Sequence, residues 1–192
     1  MRRIVCLGDS LTSGHGIGAA AAFPALLHQR VRRAGFPYEV VNAGVSRDTS
    51  ANARARIDRA LEGDVRILVI ALGANDGLRG VPVAQLTGNL AHLIETAQQR
   101  GISVLLCGME ALPIYGWAYT TAFHAAYDAL AARYTVPLVP FILMHVIGDA
   151  RLMQPDRAHP NAEGARAIAD VIWPYLEDVL KQPSALSVLA SR

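Results

Sequence analysis

Cysteine is scarce in this chain of 192 residues: Cys6 and Cys107 are the only two, each inside an apolar run. A disulfide framework or a thiolate metal site therefore does not define the protein, and both residues read as buried thiols acting as small hydrophobes. Charge of one sign is also lacking. Eighteen basic residues nearly balance sixteen acidic ones, for a net charge of +2, and the basic residues are scattered. That leaves no electrostatic footprint for nucleic acid. No apolar stretch reaches the ~18 residues of a membrane span; the longest candidate, 136–147, is interrupted by Pro137, Pro140 and His145. Arg2 and Arg3 precede an apolar run of only four residues before Gly8. This is too short for a signal-peptide core, which leaves a cytoplasmic chain or one numbered from a processed end. The six histidines show no H-E-x-x-H spacing, so no metal is expected. The cluster Gly14-His15-Gly16-Ile17-Gly18 departs from G-x-G-x-x-G and is not followed by Gly-Lys-Ser/Thr. It reads as a flexible loop rather than a phosphate cradle, and no cofactor is expected.

What the chain does have is apolar residues, 52% of the total, in a telling arrangement. Runs without alternation recur at Ile4–Leu7, Glu39–Val41, Ile67–Leu72, Val104–Cys107 and Leu138–Phe141, as in parallel strands covered on both faces. Between them lie stripes at helical spacing: Phe23, Leu27 and Val31; Ile57 and Leu61; Leu86, Leu90, Leu93 and Ala97; Tyr119, Phe123, Tyr127 and Leu130; Ala165, Ile168, Ile172 and Leu176. Five alternations predict an α/β protein with three layers, a five-stranded parallel sheet in the flavodoxin-like order 2-1-3-4-5 and helices on both faces. Residues 1–182 are expected to form one domain and 183–192 a peripheral tail. Ligands of such sheets bind beyond the carboxyl ends of the strands, and the chemically suggestive residues fall there.

Four turns carry that chemistry. In Gly8-Asp9-Ser10-Leu11, Ser10 stands where strand gives way to helix, its N–H near the positive helix end. Asp and Ser equally suit a plain helix cap. In Asp156-Arg157-Ala158-His159-Pro160-Asn161, a carboxylate and an imidazole three residues apart can come from one turn. Imidazole suits a general base, and a carboxylate can fix its tautomer; a helix capped by Asn161 is the plainer alternative. Asn42-Ala43-Gly44 and Gly73-Ala74-Asn75-Asp76-Gly77 follow the second and third strands. Gly44 can offer a close N–H and Asn75 a side-chain amide, the kind of donors an oxyanion requires, although Gly and Asn are also ordinary turn residues.

In this order, from Ile4 to about Leu180, the four blocks resemble the SGNH, or GDSL, hydrolase superfamily, with Ser10, Gly44, Asn75 and His159 as its four namesake residues. The chain is most similar to the bacterial acyl-CoA thioesterase, lysophospholipase and arylesterase group. That likeness rests on Gly73–Gly80, on Asp48-Thr49-Ser50, and on Leu112-Pro113 with Tyr115-Gly116. The resemblance implies Ser10 as nucleophile, His159 as base and Asp156 as its orienter, with oxyanion donors from Ser10 N–H, Gly44 N–H and the Asn75 amide. It implies short- to medium-chain acyl esters or thioesters as substrates, with Asp9, Leu78, Arg79, Gly80, Leu112, Ile114 and Tyr115 as candidate lining residues. Sugar-ester deacetylation is the alternative within the superfamily, and the few aromatic platforms near the turns weigh against it. One departure is visible: Ala74 stands where the block often carries a second glycine.

Overall fold

Five short stretches of Val, Ile and Leu, each ending in glycine, alanine or proline, build the sheet in the computed structural model. The model describes residues 1–182; the expected tail 183–192 lies outside the described residues. The strands are β1 (Arg2–Gly8), β2 (Tyr38–Gly44), β3 (Val65–Ala71), β4 (Ser103–Cys107) and β5 (Leu138–Val139), in the order β2-β1-β3-β4-β5. Every pairing is parallel, so the topology inferred from the apolar runs is the one observed. Residues from Ile4 to Leu7 on β1 and from Leu68 to Ala71 on β3 are at most 1% exposed. These strands show no alternation because helices cover both of their faces.

The helices are α1 (Ser10–Ser13), α2 (Phe23–Arg33), α3 (Ser50–Ala55), α4 (Ile57–Ala60), α5 (Ala74–Leu78), α6 (Val83–Gln99), α7 (Trp117–Tyr134) and α8 (Ala162–Lys181). On one side α2 packs against α8; on the other α6 packs against α3 and α7. The apolar stripes face inward as their spacing requires: Leu86, Leu90, Leu93, Ile94 and Ala97 on α6, and Ile168, Ala169, Ile172 and Leu176 on α8, belong to one continuous core. Burying each large aliphatic chain there contributes roughly 1.5–3 kcal/mol. Cys6 and Cys107 are both buried free thiols within this core. None of the described helices is long and apolar enough to cross a membrane.

Three boundaries differ from the sequence reading. The second strand extends beyond Val41 through Asn42, Ala43 and Gly44, because these pair with Cys6, Leu7 and Gly8; the block read as a turn is the last part of a strand. The last strand stops at Val139 because Pro140 has no N–H to continue a ladder. The helix read around Ile57 is two helices, with Thr49 and Asn52 forming a capping box ahead of α3. Arg56 breaks them at φ −119°, its guanidinium drawn to Asp48 Oδ2 at 2.7 Å and the Gly8 carbonyl at 3.1 Å. As the edge strand, β2 is only half-buried throughout, and His28 on α2 accepts the Val40 N–H at 3.1 Å.

Candidate active site

Three strands of the sheet end side by side, and the chain leaves each in a different way. After β1, Asp9 caps α1: its Oδ1 accepts the Leu11 N–H at 2.9 Å, which places Ser10 in the first position of the helix. The first N–H groups of a helix have no acceptor within it, so the Ser10 N–H is left out of the helix ladder. Asp9 and Thr12 are fully buried beneath it. Burial pushes the Asp9 carboxyl up to about 6, against the opposing Leu11 hydrogen bond. Asp9 is thus a packed cap with no exposed surface. The Thr12 hydroxyl is buried with no hydrogen-bond partner among the described residues.

After β2, Gly44 lies so close to α1 that a Cβ there would sit 2.3 Å from the Ser13 nitrogen. Only glycine allows this approach. Its N–H is held by Asn42 Oδ1 at 2.9 Å, and Asn42 Nδ2 donates to the Thr12 carbonyl at 2.8 Å. Asn42 therefore fastens the end of β2 to α1, a role that the short motif alone did not reveal. An oxyanion would have to share the Gly44 donor with this carboxamide.

After β3, Gly73 takes φ +120°, and a Cβ there would meet the Tyr127 hydroxyl at 2.0 Å. The special backbone is confined to Gly73. Ala74 is an ordinary first residue of α5, so the missing second glycine costs the turn nothing. Asn75 Nδ2 donates to the Asp48 carbonyl at 3.0 Å and lies 3.4 Å from Asp9 Oδ2. Asp76 beside it is fully buried and accepts from Ser50 N at 2.9 Å and Ser50 Oγ at 2.6 Å. Burial raises its carboxyl above the usual range, and the Ser50 hydrogen bonds partly offset this.

The remaining groups arrive from the far end of the chain. His159 Nε2 stands 3.1 Å from Ser10 Oγ, and His159 Nδ1 stands 2.7 Å from Asp156 Oδ2. The other carboxylate oxygen accepts the Ala158 and His159 N–H groups, each at 3.0 Å. These contacts, the His159 ring first among them, hold the Asp156 carboxyl well below the ordinary range. A carboxylate fixed in this way keeps the proton of a neutral imidazole on Nδ1 and leaves Nε2 as an acceptor toward the hydroxyl. The sharp turn between them places Arg157 at φ +55°. Asn161 also caps α8, accepting from Glu163 and Gly164 at 3.0 Å. The plain cap and the hydroxyl-imidazole-carboxylate row therefore coexist, as they do at Asp9 and Ser10.

Of the lining candidates Leu78, Arg79, Gly80, Leu112, Ile114 and Tyr115, the structure brings Tyr115 against Leu78 and Gly80. The Tyr115 hydroxyl donates to the Leu78 carbonyl at 3.2 Å, and its ring covers Gly80, where a Cβ would meet it at 2.7 Å. Arg79 Nη2 reaches the Arg47 carbonyl at 3.0 Å. Leu78, Leu112, Ile114 and Trp117 are 49–75% exposed, much apolar surface for one edge of a small protein. Among the described residues, no three His, Cys, Asp or Glu side chains stand close enough to hold a metal ion.

Comparison with known proteins places this arrangement in company. A sequence profile described as the GDSL-like Lipase/Acylhydrolase family matches residues 6–167. The chain is 40% identical over 178 residues to Esterase TesA of Pseudomonas aeruginosa, covering 92% of this chain and 89% of that one. It is 35% identical over 182 residues to Thioesterase 1/protease 1/lysophospholipase L1 of Escherichia coli strain K12, covering 94% and 86%. The crystal structure of the psychrotrophic esterase EstA from Pseudoalteromonas sp., inhibited by monoethylphosphonate, superposes with a TM-score of 0.88 at 29% identity, covering 94% of this chain and 99% of that one.

Proposed function

Because the chain belongs to the GDSL-like lipase/acylhydrolase family and is an esterase of the GDSL type, we propose that it works through an acyl-enzyme formed on Ser10. His159 Nε2 takes the hydroxyl proton as Ser10 Oγ attacks the carbonyl carbon, and Asp156 steadies the imidazolium that results. Negative charge on the carbonyl oxygen is met by the Ser10 N–H, the Asn75 amide and the Gly44 N–H shared with Asn42. His159 returns the proton to the departing alcohol or thiol. It then draws a proton from water as the water oxygen attacks the acyl carbon, and passes that proton to Ser10 Oγ as the acyl–Oγ bond breaks, which frees the acid and restores the serine. The observation that carries this reading is the row Ser10 Oγ–His159 Nε2–Asp156 at 3.1 and 2.7 Å. Phosphonate inhibition of the structurally similar EstA is the behaviour expected of a serine nucleophile.

The preferred substrates in this reading are short- to medium-chain carboxylic esters and thioesters. The exposed apolar rim from Leu78 to Trp117 supports an acyl-binding role, since a chain laid along it covers surface that otherwise faces water. Ser10→Ala tests the mechanism: hydrolysis of p-nitrophenyl butyrate should fall by on the order of 10⁶, with the fold retained, and normal turnover by this variant would end the proposal. A series of p-nitrophenyl esters of increasing acyl length tests the substrate class. Rising kcat/KM from acetyl to hexanoyl supports an acyl groove, whereas strict preference for acetyl would point to a deacetylase.

A further inference from the structure

His159 lies in an exposed turn with no strand beneath it, yet its ring must keep a fixed distance from a serine 149 positions away. The clearest tie between the two segments is a side chain outside the hydroxyl-imidazole-carboxylate row. Gln154 Nε2 donates to the His15 carbonyl at 2.7 Å and to the Pro160 carbonyl at 2.8 Å, so both hydrogens of one carboxamide are used, one on each loop. The Gln154 N–H donates in addition to the His159 carbonyl at 2.8 Å, and Met153 and Pro160 form an isolated bridge. Room for the carboxamide comes from Gly16: a Cβ there would lie 2.0 Å from Gln154 Oε1. Drawn in this way, the His15 ring rests against the His159 ring, with centroids 4.5 Å apart and a tilt of 44°.

We propose that Gln154 is a positioning residue: its carboxamide clamps the glycine loop that follows the nucleophile helix onto the loop that carries the base, and so holds His159 Nε2 in reach of Ser10 Oγ. The proposal rests on the reading of Ser10 and His159 given above. The clamp bonds the backbone on both sides of the row, at residues 15 and 160, so it resists sliding of one loop past the other. Sliding is the motion that would lengthen the hydroxyl–imidazole contact. Gln154 touches neither the nucleophile nor the reacting carbonyl, so removing it should affect the chemical step more than binding.

Gln154→Ala and Gly16→Ala, singly and together, test this with p-nitrophenyl butyrate, with each kcat normalised to the serine titrated by a phosphonate. Loss of the clamp should lower kcat about tenfold or more with KM within about twofold, since small misplacements of reacting groups carry large rate penalties. It should also broaden the low-field proton resonance of the His159 Nδ1–H. Gly16→Ala should expel the carboxamide and also strain a backbone at φ +76°; with Gln154 already Ala only the strain is left to act, so the double variant should lose less than the product of the two single losses. A Gln154→Ala enzyme with wild-type kcat and an unaltered resonance, a loss confined to KM, or losses that multiply in the double variant would each overturn the proposal. Activity surviving in Ser10→Ala would instead overturn the reading beneath it, so the two failures are distinguishable.

Discussion

The two sides of the site are built by opposite means. The Ser10 turn is set into the sheet: Asp9 and Thr12 are fully buried, and Gly44 is pressed against the α1 backbone. Packing specifies it, and little there can change without disturbing the core. The His159 turn, 154–160, stands outside the sheet with the Asp156 side chain partly exposed. Its shape comes from individual hydrogen bonds: two N–H groups on Asp156 Oδ1, two carbonyls on Gln154, and the Asn161 cap. Damage to the buried groups packed beneath Ser10 should therefore appear as lost stability, and damage to the exposed side as lost rate in a protein that remains folded.

Asp156→Asn gives the sharpest test of that contrast. The substituted amide presents a hydrogen-bond donor where His159 needs an acceptor, and kcat should fall by up to about 10⁴. The melting temperature should stay within a few degrees, and a large fall would mean that the exposed turn supports the fold after all. Asn75→Ala stands between the two regions, because its amide both holds the Asp48 carbonyl and faces the proposed oxyanion. A loss of roughly 10²–10³ in kcat is expected, and an unchanged kcat would remove it from the site.

Asp9 should make the buried side visible as a pH effect. In the fold it keeps its proton up to about pH 6, whereas an unfolded chain releases it near pH 4. Between those values the native state binds more protons, so stability falls as pH rises, by about 3 kcal/mol for this group. Asp76, raised by burial, acts in the same sense. Asp156, lowered by its hydrogen bonds, acts in the opposite sense and only below about pH 4. Urea unfolding of Asp9→Asn at pH 4, 5 and 6 should therefore show a flatter slope than the parent, and identical slopes would remove Asp9 as the cause. Gly44→Ala comes last in size. Forcing a methyl against the Ser13 nitrogen should cost about 1–3 kcal/mol, seen as a lower urea midpoint, and an unshifted midpoint would mean that α1 is freer to move than the packing implies.

Much of this was legible in the sequence, for reasons that differ by element. The strands announced themselves because burial on both faces leaves unbroken apolar runs. Ser10, Asp156 and His159 stood out because strand ends and a spacing of three are local patterns, while their meeting in one row is a matter of the fold. Gln154 left no such trace: its partners at residues 15 and 160 are joined only by the fold, and a lone glutamine in a polar loop has no signature. The Asn42 contact with Gly44 was hidden because the block was read as a turn, although it continues the ladder opposite Gly8. The break at Arg56 was missed for a related reason, since the pull on its guanidinium comes from Asp48 and the end of β1, not from neighbouring residues. The glycine loop, read from the sequence as flexible, has a partner on another segment at His15 that no local pattern showed.

The two sulfurs in the sheet carry a practical consequence. Burial lifts the Cys6 thiol to about 12, and burial together with the neighbouring Cys6 lifts Cys107 further still, so neither forms thiolate at neutral pH. Peroxide and maleimides should pass both by while the protein is native. A cysteine introduced on the exposed rim, at Trp117 for example, would then be the sole addressable sulfur. A fluorophore or spin label could be attached there without first stripping the native thiols from the chain.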